Sequence, residues 1–118
     1  MTLSISTTTG SDHEVLVVLR GEVDYATAPD LRVALSAALN EHQPRVLGVD
    51  LSGVSVLDST GIGTLVVAYR ITRDLGVRFE VRNPSPFVAR LFHIVGVAEL
   101  FGTEVPEGLA PQRLTERR

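Results

Sequence analysis

Three consecutive oxygen-bearing side chains, Asp58-Ser59-Thr60, stand directly before Gly61-Ile62-Gly63 and hold the most informative chemistry of this 118-residue chain. Ahead of them Val49-Asp50-Leu51-Ser52-Gly53-Val54 reads as a buried strand and a short loop. Beyond them Ile62, Leu65, Val66, Tyr69 and Arg73 recur at helical spacing, and Gly76 offers a stop. The three therefore fall at a helix start, where Asp, Ser and Thr satisfy the amides that the first turn leaves free. One role for them is a plain N-cap, stabilising by about 1 kcal/mol. Another is a modifiable serine, because a hydroxyl at the positive end of a helix is where the backbone tolerates an added phosphate. A phosphate on Ser59 would add about −1.5 to −2 charges beside Asp58 and near Asp24. Such a charge need not unfold the domain, but it would sharply alter any partner surface centred on the helix start.

Other chemistries fit these residues poorly. Strand, turn, serine and helix also describe a nucleophile elbow, yet Leu57 and Gly61 flank Ser59 where that motif has glycine on both sides. The histidines available as bases, His13, His42 and His93, have no evident orienting acid and read as solvated or half-buried. Asp50 and Asp58 have no histidine or cysteine companions at metal-ligand spacing, so no metal site is expected. Asp50 is better read as a strand-end residue bonded to loop amides. Gly61-Ile62-Gly63 is a lone G-x-G without the third glycine of a dinucleotide site, and no cofactor is expected.

Composition narrows the field further. All eleven basic residues are arginine, so a P-loop, a Schiff base and the usual receiver-type phospho-aspartate site are disfavoured for want of a lysine. A formal net charge of −3 and the absence of a basic stripe argue against nucleic acid. Without cysteine there is no disulfide framework. No run approaches the ~20 apolar residues of a membrane span, since Asp50, Asp58, Arg70 and Arg73 interrupt the best candidate. Met1-Thr2-Leu3-Ser4 lacks the basic start and apolar core of a signal peptide, and a cytoplasmic protein is expected.

The elements that must position the serine follow in order. Leu3–Thr7 alternates as a half-exposed strand, Thr8–Asp12 is a turn, and Val15–Leu19 reads as a central strand covered on both sides. Gly21–Tyr25 closes it. Ala28, Leu31, Leu35, Ala38 and Leu39 share one helix face, with Thr27 as N-cap and Pro29 in the first turn. Arg45–Leu51 is a third strand, in which Gly48 marks the close approach of a helix or backbone. After the central helix, Val77–Arg82 alternates as a strand near the sheet edge. Asn83-Pro84-Ser85-Pro86 then turns into a helix whose buried stripe reads as Phe87, Leu91, Ile94 and Val95, with Val88 and Phe92 beside it. Ala98–Phe101 reads as a short last strand. The whole is one α/β domain over residues 1–102, a mixed, mostly parallel sheet with an antiparallel N-terminal strand and crossover helices. Residues 103–118, broken by Pro106, Gly108 and Pro111, form a tail expected to be partly disordered.

Gly21-Glu22-Val23-Asp24, Val49 to Val54 and Leu57-Asp58-Ser59-Thr60-Gly61-Ile62-Gly63 together resemble the anti-sigma factor antagonists of the STAS domain family. The likeness continues through Pro84-Ser85-Pro86-Phe87-Val88-Ala89-Arg90-Leu91-Phe92 and covers roughly residues 3 to 101. It implies a bacterial partner-switching module that is not itself an enzyme. Unphosphorylated antagonist would bind an anti-sigma factor that is also a serine-protein kinase, freeing a sigma factor. Phosphorylation of the serine matching Ser59 would release the kinase, and a serine phosphatase of the metal-dependent type would reset the switch. By the same resemblance Asp24, Tyr25, Ala26, Thr27, Asp58 and Thr60, with the exposed side of Gly61, Ile62, Gly63 and Thr64, would form the partner surface. The family also implies an alternative, a non-switching STAS scaffold subunit of a stress-sensing or lipid-transport complex. The chain departs from the family pattern at Gly48, in the second hydroxyl at Thr60, and in the proline-broken tail.

Overall fold

A computed structural model describes residues 2–103, so the expectation for the tail at 104–118 lies outside the described residues. The element order is β1 (Leu3–Thr9), β2 (Glu14–Val23), α1 (Ala28–His42), β3 (Val46–Leu57), α2 (Ser59–Leu75), β4 (Arg78–Arg82) and α3 (Pro86–Val95). The strands form one sheet in the order β1-β2-β3-β4. The first pair is antiparallel and the other two are parallel. The mixed, mostly parallel sheet with crossover helices is therefore the one expected.

Each parallel crossover steps to the adjacent strand in the same direction. Two right-handed crossovers of that kind put α1 and α2 on one face of the sheet. The register shows which face. Val15, Leu47 and Phe79 lie side by side, as do Val17, Val49 and Val81, and all six are buried. The alternate rows, Leu16–Gly48–Glu80 and Val18–Asp50–Arg82, point the other way. Val15–Leu19 is thus not covered equally on both sides, because Leu16 and Val18 are only half-buried. On that second face Arg82 reaches Glu80 at 2.7 Å and Glu14 at 3.7 Å. Gly48 has its close neighbour there, but it is side chain and not helix or backbone. A Cβ at that position would sit 3.0 Å from Leu16 Cδ1 and 3.2 Å from Arg82 Cζ.

β3 runs further than expected. Residues 52–57 are strand, not loop, and pair with the second half of β2 through two register shifts. Strand therefore gives way to helix across Asp58 alone. α1 buries Ala28, Leu31, Leu35 and Ala38 as its periodicity demands. α2 buries Ile62 and Leu65 of the expected row and packs Val66 and Tyr69, partly buried, against the core; Ala68 and Thr72 are buried as well, whereas Arg73 is exposed and lies over the Tyr69 ring. The small Ala68 and Thr72 let the helix approach the sheet, and the Thr72 hydroxyl donates to the Tyr69 carbonyl at 2.9 Å.

α3 also departs from its expected stripe. Val88 and Phe92 are buried, while Phe87 is 67% and Ile94 68% exposed. Two i, i+4 rows of apolar residues lie side by side here, so periodicity cannot choose between them. The ends of the helix decide. Ser85 caps it by accepting from the Val88 amide, and Gly96, in the left-handed conformation, turns the chain back over Phe92. Ala98–Phe101 is a turn and not a strand. Its Phe101 fills the core edge-on to Phe92 and Phe79, and its carbonyl accepts from the Val81 amide on the outer edge of β4.

Candidate functional site

The site is built where β2 and β3 both end. Past Val23 the chain makes one tight turn, and the Asp24 carboxylate organises it. Asp24 Oδ1 accepts from the amides of Ala26 at 3.0 Å and Thr27 at 3.1 Å. The Asp24 carbonyl accepts from the Ala28 amide at 2.8 Å. Thr27 occupies the N-cap position of α1 but does not cap it. Its buried hydroxyl instead donates to the Glu22 carbonyl at 2.8 Å and accepts from the Asp24 amide at 3.0 Å. The expected role of Thr27 thus passes to Asp24, whose carboxylate holds the preceding turn, because Thr27 already has helical backbone angles.

Asp58 performs the matching task for α2. Its backbone is extended, and Oδ1 accepts from the Gly61 amide at 3.0 Å. Oδ2 accepts from the Tyr25 amide at 3.2 Å, while its own amide donates to the Val23 carbonyl at 3.1 Å. One carboxylate therefore caps the helix and fastens the Asp24 turn beside it. Gly61 is required at the seam, since a Cβ there would lie 2.6 Å from Leu57 Cδ1 and 2.8 Å from Val23 Cγ1.

Capping by Asp58 leaves Ser59 free of that duty. Ser59 is the first residue of α2, and both it and Thr60 are exposed. Tyr25, 81% exposed, stands across the seam, with Ala26 exposed beside it. Gly63 is exposed on the next turn, whereas Gly61, Ile62 and Thr64 turn inward. The outward members of the sequence-derived set are thus Tyr25, Ala26, Ser59, Thr60 and Gly63. Asp24, Thr27, Asp58 and Gly61 hold them in place. Asp50 is not part of this cluster; its carboxylate accepts from the Ser52 amide at 2.8 Å.

The sequence reading missed a groove of about 460 Å³ between α1 and α2, which opens beside the start of α2. Leu35, Leu39, Val67 and Ile71 supply its apolar walls, and Arg32, Thr60 and Gly63 also line it. The signal was present in Val67 and Ile71, apolar residues four apart that fall off the core stripe of α2 and remain about half exposed.

Comparison with known proteins matches residues 6–103 to the family described as Mlab, STAS domain. An anti-sigma-B factor antagonist of Listeria monocytogenes is 31% identical over 92% of this chain and 94% of its own length. One from Staphylococcus aureus is 34% identical over 89% of this chain and 99% of its own. The crystal structure of an anti-sigma factor antagonist from Mycobacterium paratuberculosis superposes with a TM-score of 0.73 at 27% identity, covering 91% of this chain and 89% of that one.

Proposed function

The chain belongs to the STAS domain family, and from that premise we propose that it is an anti-sigma factor antagonist that works by partner switching. The observation that carries this reading is the exposed Ser59 hydroxyl at the first position of α2, with helix capping assigned to Asp58. The names of the Listeria and Staphylococcus relatives support the same role.

In this mechanism the unphosphorylated protein presents Tyr25, Ala26, Ser59, Thr60 and Gly63 as one surface to an anti-sigma factor that is also a serine kinase. Binding occupies the kinase and frees a sigma factor. Transfer of the ATP γ-phosphoryl group to Ser59 Oγ places about −1.5 to −2 charges in the middle of that contact. Burying such a charge without a basic partner disfavours the complex by several kcal/mol. The antagonist itself stays folded, because the amides and dipole at the start of α2 favour an anion there. A metal-dependent serine phosphatase removes the phosphate and restores binding. The antagonist catalyses no step and acts in the cytoplasm.

The test is to incubate the protein with ATP and the kinase retained from host extract by the Ser59→Ala form, then to map the phosphate by mass spectrometry. Phosphate on Ser59, and its absence from Ser59→Ala, is expected. Phosphate confined to Thr60 or to no residue of the chain contradicts the reading.

A further inference from the structure

The groove between α1 and α2 shares its mouth with the switch surface, since Thr60 and Gly63 belong to both. It then continues along α2 as far as Ile71. From Thr60 to Ile71 the helix rises about 16 Å, the length of three turns. Val67 and Ile71 remain 48% and 46% exposed on its wall. Over Gly63 the space is open, with no atom beyond its chain neighbours and its own helix backbone within 4 Å of where a Cβ would stand. Among the described residues the only charged side chain lining it is Arg32, near the start of α1. Among the described residues Arg32 has no acidic partner at salt-bridge distance.

Taking the proposed switch as given, we infer that this groove receives an amphipathic helix of the same anti-sigma factor that covers Ser59. Its apolar side, with anchors at i, i+3 or i+4, and i+7, lies between Leu39 and Ile71, and an acidic side chain meets Arg32. The groove is continuous with the switch surface at Thr60 and Gly63, and beside its apolar wall stands a guanidinium that no described carboxylate pairs. A trough open along one side suits a helix better than a small molecule, which a binding pocket normally encloses over about 70–90% of its surface. The second contact also serves the switch. A docked helix keeps the kinase engaged along α2 while Ser59 at its end is modified.

The experiment measures binding of the purified anti-sigma factor kinase to the full chain by calorimetry. Four variants are compared: Ile71→Glu, Ser36→Trp, Arg32→Glu and Ser59→Asp. Ile71 lies about 18 Å along the helix from Ser59, so its effect is separable from contacts at the phosphorylation site. Ile71, Ser36 and Arg32 are exposed, and thermal unfolding checks that each variant is folded. The inference expects each groove variant to weaken binding about tenfold or more. It also expects a photo-crosslinker at Ser36 to label an apolar helical segment of the kinase that carries an acidic residue. Groove variants that bind within about twofold of the parent, while Ser59→Asp loses binding, overturn the groove and leave the switch standing. Undiminished binding by Ser59→Asp with loss in the groove variants overturns the switch and upholds the groove. Crosslinking to a second copy of this chain, or to a non-helical segment, also overturns the inference.

Discussion

The amide of Tyr25 donates to Oδ2 of Asp58 at 3.2 Å, joining positions 33 apart in the chain at the one point where β2 and β3 both give way to helices. The other oxygen of the same carboxylate caps α2. The exposed aromatic ring and the exposed serine are thereby held in fixed relation by a residue that is itself half-buried.

Replacing Asp58 with alanine removes both acceptors. The Asp58→Ala protein is expected to lose about 1–2 kcal/mol of stability in urea denaturation, the range of a lost cap with a further amide bond. The Tyr25 amide should exchange faster with solvent, whereas Asp58→Asn, which keeps an acceptor, should lose less. Unchanged Tyr25 exchange in Asp58→Ala would count against the bridge.

Gly61 and Gly63 are separated by one residue and should respond in opposite directions. A methyl group at 61 collides with Leu57 and Val23, so Gly61→Ala is expected to cost about 1–3 kcal/mol. At 63 a Cβ would meet no atom within 4 Å beyond its chain neighbours and its own helix backbone, so Gly63→Ala should gain up to about 1 kcal/mol from the reduced backbone freedom of the unfolded chain. Thermal melts of the two variants measured side by side decide the matter, and equal shifts would contradict the packing described.

Phe101 and Phe87 make a similar contrast. Phe101 is fully buried against Phe92 and Phe79, and Phe101→Ala should cost about 3–5 kcal/mol. Phe87, largely exposed, should tolerate alanine within about 0.5 kcal/mol. A large loss at Phe87 would restore the stripe that periodicity alone suggests.

What could be read in advance followed from local chemistry. α1 showed its face because its three leucines, Leu31, Leu35 and Leu39, share one stripe with Ala28 and Ala38, and the one large apolar residue off it is Val33. The start of α2 showed itself because Asp58, Ser59 and Thr60 are all capping types before two glycines. Local signals could not say which of the three caps, since that depends on Asp58 also reaching Tyr25 across the sheet. The same limit hid the turn built by Asp24, where Thr27 has the right residue type for a cap but spends its hydroxyl on the Glu22 carbonyl. In α3, Phe87 and Val88 begin equivalent rows, and the Ser85 cap together with the reversal at Gly96, which brings Phe101 onto Phe92, selects one. The extra length of β3 was concealed by Ser52, Gly53 and Ser55, turn-like residues whose strand pairing depends on bulges in the pairing with β2. The groove was harder still, because it belongs to two helices and to neither sequence segment alone.

The central claim is that charge added at Ser59 dissociates a partner from an otherwise unchanged protein. The most direct measurement is the affinity of the purified anti-sigma factor kinase for the unmodified chain and for the chain phosphorylated at Ser59, by calorimetry in the same buffer. The account predicts that phosphorylation weakens binding about thirtyfold or more, roughly 2 kcal/mol, with the thermal unfolding of the free antagonist little changed. Equal affinity for the two forms, or loss of binding only because the phosphorylated chain unfolds, would contradict it.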